Sequence, residues 1–208
     1  MLTFEIALSF FGIALLLALA PGPDNVFVLM QSAMWGRKPG MQVVLGLCTG
    51  LVGHTVAVAV GLAALFAASA TAFTALKLVG AAYLVYLAWE AFRARANTEQ
   101  SAKPPRQSGA TLYRRGIIMN LTNPKVSLFF LAFLPQFTSP ARGSVALQTL
   151  SLGVLFILAT LIVFGGIAFF SGAFGEQIQR SAKAQRLLNG FAGTVFLGLA
   201  AKLALAGR

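Results

Sequence analysis

The sequence holds one cysteine, Cys48, one histidine, His54, and five acidic residues in 208 positions. A lone cysteine excludes an intramolecular disulfide and leaves the redox compartment undefined. With one histidine beside it, a zinc site would need an unusual ligand set. Five carboxylates are few for a hard-cation cage, which gathers several oxygen ligands, and they leave little for general acid–base catalysis. No glycine-rich nucleotide loop and no nucleophile–base arrangement is visible, so we expect no enzyme, no metal and no cofactor. Charged residues make up 10% of the chain against 58% hydrophobic, with a mean hydropathy of +0.81, and a soluble domain of this size is far less apolar. The opening MLTFE has Glu5 and no basic residue, whereas a cleavable signal peptide needs a positive n-region; Pro21 would also follow the cut after ALA at 18–20. The segment is expected to be a retained first helix.

What is present are six apolar runs, at about 4–34, 41–68, 73–92, 116–137, 146–171 and 187–206. A helix crosses the ~30 Å hydrocarbon core in roughly 20 residues. The expectation is an all-α polytopic membrane protein, a single transmembrane domain over 1–208 with six helices. The stretch 94–115 is polar, contains Pro104-Pro105 and reads as the one long loop. The net charge of +11 reads as topology rather than nucleic-acid binding. Arg37, Lys38, Arg93, Arg95, Lys103, Arg106, Arg114, Arg115, Arg180, Lys183 and Arg186 fall in the connections after helices one, three and five. Only Lys77, Arg142, Lys202 and Arg208 fall on the other side, so both termini are expected to be extracytoplasmic. Trp35 and Trp89 precede basic connections, where indoles favour the interface. Glu90 and Arg93 have the spacing of a surface ion pair.

A weak repeat relates the two halves. LVGAAYLVYLA (78–88) lies over LNGFAGTVFLG (188–198), and PGPDN (21–25) is answered by NLTNPK (120–125). A repeat of three crossings must enter the membrane upside down in its second copy. The expected plan is two inverted three-helix repeats, at about 1–93 and 116–208 around a cytoplasmic loop of about 94–115, with helices one and four broken. Secondary transporters build their sites at such breaks.

Pro21 and Pro23 cannot donate backbone hydrogen bonds, and their rings oppose the carbonyls near Leu17 and Leu19. Lipid offers no replacement partner, so this backbone must be buried in protein or line a wet cavity. Asp24 and Asn25 fall where the second half-helix begins, and its free amides attract an anion. Asn120, Asn123, Pro124 and Lys125 repeat this chemistry with the opposite charge. Two readings stand for each half. Asp24 caps a proline-kinked packing helix, or it faces a pathway; Lys125 snorkels to the interface, or it meets Asp24 across one cavity. Such a pair would complement a zwitterion and could join when the ligand is absent. His54 is either a satisfied hydrogen-bonding residue or a proton-transfer group. Gly46, Gly50 and Gly53 permit close packing of helix two against the broken helix, and small-residue faces on helices two and six would allow a homodimer.

LALAPGPDNVFVL, GLCTGLVGHTV, KLVGAAYLVYLAWEAFRA and GIIMNLTNPKVSLFFLAFLPQF together resemble the lysine exporter (LysE/RhtB) family of bacterial amino-acid exporters. The resemblance spans nearly the whole chain and is weakest over 138–186. It implies an inner-membrane exporter of amino acids driven by the proton gradient, with the family's PGP on Pro21, Gly22 and Pro23 and its NPK on Asn123, Pro124 and Lys125. Asp after PGP resembles the threonine exporters, so small neutral, threonine- or homoserine-like substrates are implied. The substrate site would gather Pro21, Gly22, Pro23, Asp24, Asn25, Asn120, Asn123, Pro124 and Lys125, with Asp24 or His54 carrying the proton. Export of another solute or cation, or a non-transporting scaffold, is the alternative. The partners expected are an amino acid, protons and the lipid bilayer.

Overall fold

Thr3 opens the first helix by accepting the Ile6 amide on its side-chain oxygen at 3.4 Å, which satisfies one of the amides a helix start leaves free. The computed structural model describes residues 2–68, 70–94 and 106–205, without the side chains of 62–73 and 172–180. Helix α1 spans Phe4–Leu19 and α2 spans Pro23–Trp35. The helix stops at Pro21, which has no amide to continue it, and restarts with Pro23 in its first turn, where a missing N–H costs nothing. The axes bend by 63° across the gap.

Helices α3 (Arg37–Ala68) and α4 (Ala70–Arg93) complete the first half. In the second half α5 (Gly109–Thr122) stops at Asn123, and α6 (Pro124–Leu128) restarts on Pro124. A π-helical turn, Phe129–Phe133, and a 3-10 turn, Leu134–Phe137, carry the chain onward. The bend here is 50°. Helices α7 (Val145–Arg180) and α8 (Ala182–Leu205) follow. Four helices are long and apolar enough to cross a membrane alone, and six crossings result when each bent pair counts as one. The six-span expectation with breaks in the first and fourth spans therefore stands.

Boundaries differ where a cap decides them. The stretch 109–115, expected as loop, is helical, because the Ser108 hydroxyl accepts the Thr111 amide at 3.2 Å and starts α5 there. Of the rest of that stretch, 95–105 lies outside the described residues. Arg37 and Lys38 form the first turn of α3 rather than a loop, since Gly36 adopts φ 92° and reverses the chain within one residue. Ser181 alone separates α7 from α8, and its hydroxyl accepts the Ala184 amide at 3.2 Å.

The glycine face of α3 serves α5, the first half of the second broken span, rather than α1 or α2. A Cβ on Gly46 would collide with the Tyr113 carbonyl oxygen and stand 3.0 Å from the Gly116 Cα, so the two backbones are in contact. Helix α4 packs along α8, and α7 packs against α1, α2 and α3. Two apolar clusters fill the bundle. One gathers Phe10, Phe129, Phe130, Phe133, Phe137 and Phe156 on the far side of the breaks; Phe129 lies 4.9 Å from Phe133 and 5.2 Å from Phe156 between ring centres. The other joins α2, α3, α5 and α7 through Phe27, Val44, Leu47, Leu112 and Phe164. Leu8, Val56, Val79, Val154 and Ile162 are exposed on the outer surface, as suits helices in lipid.

Candidate functional site at the paired helix breaks

Counting hydrogen bonds across the first break shows what holds it. In an unbroken helix the carbonyls of Leu17, Ala18 and Ala20 would accept the amides of residues 21, 22 and 24. Instead the Lys125 ammonium donates to the Leu17 carbonyl at 3.4 Å and to the Ala20 carbonyl at 3.0 Å. Asn25 Nδ2 donates to the Ala18 carbonyl at 2.7 Å. Side chains thus replace the amides that Pro21 and the bend remove, two of the three bonds coming from the opposite half of the chain.

The second break is held in the same manner. Asn123 Oδ1 accepts the Lys125 amide at 3.0 Å and caps α6, while Asn123 Nδ2 donates to Asp24 Oδ2 at 2.8 Å. One asparagine therefore ties the start of α6 to the start of α2. The expected union of Asp24 with Lys125 takes a different form: the carboxylate is bonded to Asn123 and the ammonium to backbone carbonyls. Asp24, Asn25, Asn120, Asn123 and Lys125 are all buried, so Lys125 does not snorkel to an interface. Asp24 Oδ1, Asn25 Oδ1 and Asn120 Oδ1 are buried oxygens with no partner. Buried polar atoms are normally paired, and exceptions concentrate where a ligand, ion or water binds.

Two cavities reach this cluster. A cleft of about 730 Å³ runs from Trp89, Glu90, Arg93 and Asn189, at the facing ends of α4 and α8, past Tyr83, Leu87 and Phe196 to Pro21, Gly22, Pro23, Asn123, Pro124 and Lys125. A chamber of about 20 Å³ lies behind, lined by Asp24, Asn120, Lys125 and Thr160 among apolar side chains. A Cβ on Gly22 would stand 3.1 Å from Lys125 Nζ, so a bare glycine gives the ammonium room to reach the broken helix.

All the residues expected at the site except His54 and Asn25 line one of these two spaces. His54 Nε2 lies 3.2 Å from the Asn120 carbonyl oxygen, and its ring stacks on Phe130 with centres 5.4 Å apart. The histidine thus reaches the cluster through one backbone carbonyl. The expected Glu90–Arg93 pair does not form; the Arg93 guanidinium lies over the Trp89 ring at 4.7 Å. Sequence reasoning missed Leu87, Asn189, Phe196 and Thr160. Thr160 carried a signal, a hydroxyl inside an apolar run, and Tyr83 carried another as a mid-helix phenol. Among the described residues no group of three His, Cys, Asp or Glu side chains that could hold a metal occurs.

A family model described as LysE type translocator matches residues 15–207. The chain belongs to the LysE type translocator family. A homoserine/homoserine lactone efflux protein of Salmonella typhimurium is 36% identical over 205 residues, covering 99% of this chain and 98% of its own. A protein named only as an uncharacterized membrane protein, from Vibrio cholerae, is 35% identical over 199 residues, 96% of each chain. No solved structure matches the chain. As a LysE type translocator it is a transporter of a small molecule in a membrane and not an enzyme, and the two broken spans bury Asp24, Asn25, Asn120, Asn123 and Lys125.

Proposed function

We propose that this translocator is a secondary exporter of small neutral amino acids, homoserine- or threonine-like, working by proton antiport in the bacterial inner membrane. The observation that carries the reading is the convergence, from opposite helix breaks, of Lys125 at the inner end of the cleft and Asp24 in the small chamber directly behind it. Lys125 gives two of its three N–H groups to neutral carbonyls, and its ammonium also borders the cleft, where a substrate carboxylate would accept from it. Asn123 lines the cleft and bonds Asp24, so it links the carboxylate to the surface that a substrate ammonium would meet. Asp24 is the proton carrier in this scheme, and His54 steadies Asn120. The name of the Salmonella relative supports a four-carbon hydroxylated substrate.

Under the basic-residue asymmetry the mouth at Trp89 and Arg93 is cytoplasmic and both termini are extracytoplasmic. The cleft then faces the compartment from which an exporter loads. The two halves, read as inverted repeats about 1–93 and 116–208, would rock about the breaks to deliver substrate to the other side.

The test is counterflow in proteoliposomes of the purified chain, with labelled homoserine, homoserine lactone, threonine, leucine and lysine. Saturable exchange of homoserine and threonine, lost in Lys125→Ala, is the expected result. Wild-type exchange in folded Asp24→Asn and Lys125→Ala proteins would end the site assignment.

A further inference from the structure

Of all the residues that line the cleft and the chamber, Lys125 is the one they share. Its side chain therefore borders both a wide space and a very small one. The cleft, at about 730 Å³, has room for an amino acid with water. The chamber, at about 20 Å³, does not, but it exceeds the roughly 10–15 Å³ that a single water requires. Its polar lining also suits one water. Asp24 Oδ1 and Asn120 Oδ1 are unpartnered acceptors, while Lys125 keeps one N–H beyond its two carbonyl bonds. A water there would donate twice and accept once, closing all three. A bare cation would sit against the ammonium and be repelled.

The bonds that hold the ammonium in place are replaceable. Both acceptors are neutral carbonyls, and the bond to Leu17 is long at 3.4 Å. A carboxylate entering the cleft is a stronger acceptor for an ammonium than a neutral carbonyl. The ammonium already faces that space, 6.0 Å from the centre of the Phe196 ring. Moving toward a carboxylate would take Lys125 from the chamber's edge.

We propose that Lys125 is a movable partition: it shuts the Asp24 chamber off from the cleft until a substrate carboxylate draws the ammonium away from the Leu17 and Ala20 carbonyls. Asp24 then meets cleft water only when substrate is bound. This would tie proton exchange to loading, and it rests on the reading of the cleft as the substrate route.

Reporter cysteines on a Cys48→Ala background test it in proteoliposomes of the full chain. Thr160→Cys reports the chamber and Leu87→Cys the cleft, with methyl methanethiosulfonate as the probe. Leu87→Cys is expected to react fast and Thr160→Cys slowly. Homoserine should speed the Thr160→Cys reaction about tenfold or more, the scale set by exchanging one charge-assisted hydrogen bond. So should Lys125→Met, which removes the donors, and Gly22→Ala, whose Cβ crowds the ammonium while keeping the lysine.

If Thr160→Cys matches Leu87→Cys with Lys125 in place and no substrate, there is no partition. If it stays slow in both Lys125→Met and Gly22→Ala, some other wall closes the chamber and the proposal fails. Release by the two variants but not by homoserine or threonine would keep the partition and overturn its substrate trigger. Leu87→Cys protection by homoserine separately tests the cleft as the substrate route.

Discussion

Lys125 Nζ lies 3.0 Å from the carbonyl oxygen of Ala20, 105 residues earlier in the chain. That single bond makes a charged side chain of the second half a structural component of the first. It also explains why a lysine can be buried here: its donors meet carbonyls that proline and the bend have freed, so its burial and theirs offset one another.

Lys125→Met should therefore cost stability as well as transport. It strands the Leu17 and Ala20 carbonyls, at about 1–3 kcal/mol for each buried group left unpaired. Thermal unfolding followed by size-exclusion chromatography in detergent should show a clear fall in Tm. An unchanged Tm would mean that water or lipid headgroups replace the ammonium without loss.

Asp24→Asn separates charge from shape. The amide oxygen can still accept from Asn123 Nδ2, now at 2.8 Å from the carboxylate, so the bundle should fold and α2 should keep its position. Proton-driven export should drop to near background. Export at the wild-type rate from folded protein would remove Asp24 from the proton path.

Two glycines give opposite forecasts. Gly46→Ala drives a methyl into the Tyr113 carbonyl and should destabilise by about 1–3 kcal/mol, the usual range for overpacking. Gly166→Ala meets nothing within 4 Å and should be neutral or gain up to about 1 kcal/mol from helix propensity. Equal Tm values for the two variants would show that α3 and α5 can separate freely.

His54→Gln retains a side-chain donor for the Asn120 carbonyl, the contact that His54 makes at 3.2 Å. Proton-driven transport should persist with its pH profile unchanged. A flattened profile in this variant would make the imidazole a proton carrier.

Orientation is open to labelling. On a Cys48→Ala background, Thr3→Cys should react with a membrane-impermeant maleimide added to intact spheroplasts, and Lys38→Cys only after permeabilisation. The reverse pattern would invert the topology and place the cleft on the outside.

Much of the site was legible because its causes are local. Pro21, Pro23 and Pro124 lack the N–H that a helix needs, so the two interruptions follow from residue chemistry wherever the helices pack. The caps were less legible: Asp24 was expected to cap the second half-helix, but Gly22 is the N-cap of α2 and brings no side-chain bond to its first amides, whereas Asn123, not read as a cap, caps α6. Ser108 was not recognised as a cap within its polar stretch, and α5 was expected to begin later than it does. The role of Lys125 was legible only as a pair of alternatives, snorkelling to the interface or meeting Asp24 across one cavity; the two residues do line one small chamber, but the ammonium bonds backbone carbonyls rather than the carboxylate.

By itself the sequence determined that the chain is a polytopic helical membrane protein, where two of its spans break, and which polar residues are forced to stay inside. Those properties follow from hydropathy and from proline's missing donor, which act within one turn of helix. The tertiary structure alone decided which partner each freed group takes. Asn123 reaches Asp24 across 99 residues and Lys125 reaches Leu17 across 108. Those pairings depend on how two helix pairs, bent by 63° and 50°, meet in space. A hydrogen bond tolerates only tenths of an ångström, and no pattern along the chain carries distance to that precision.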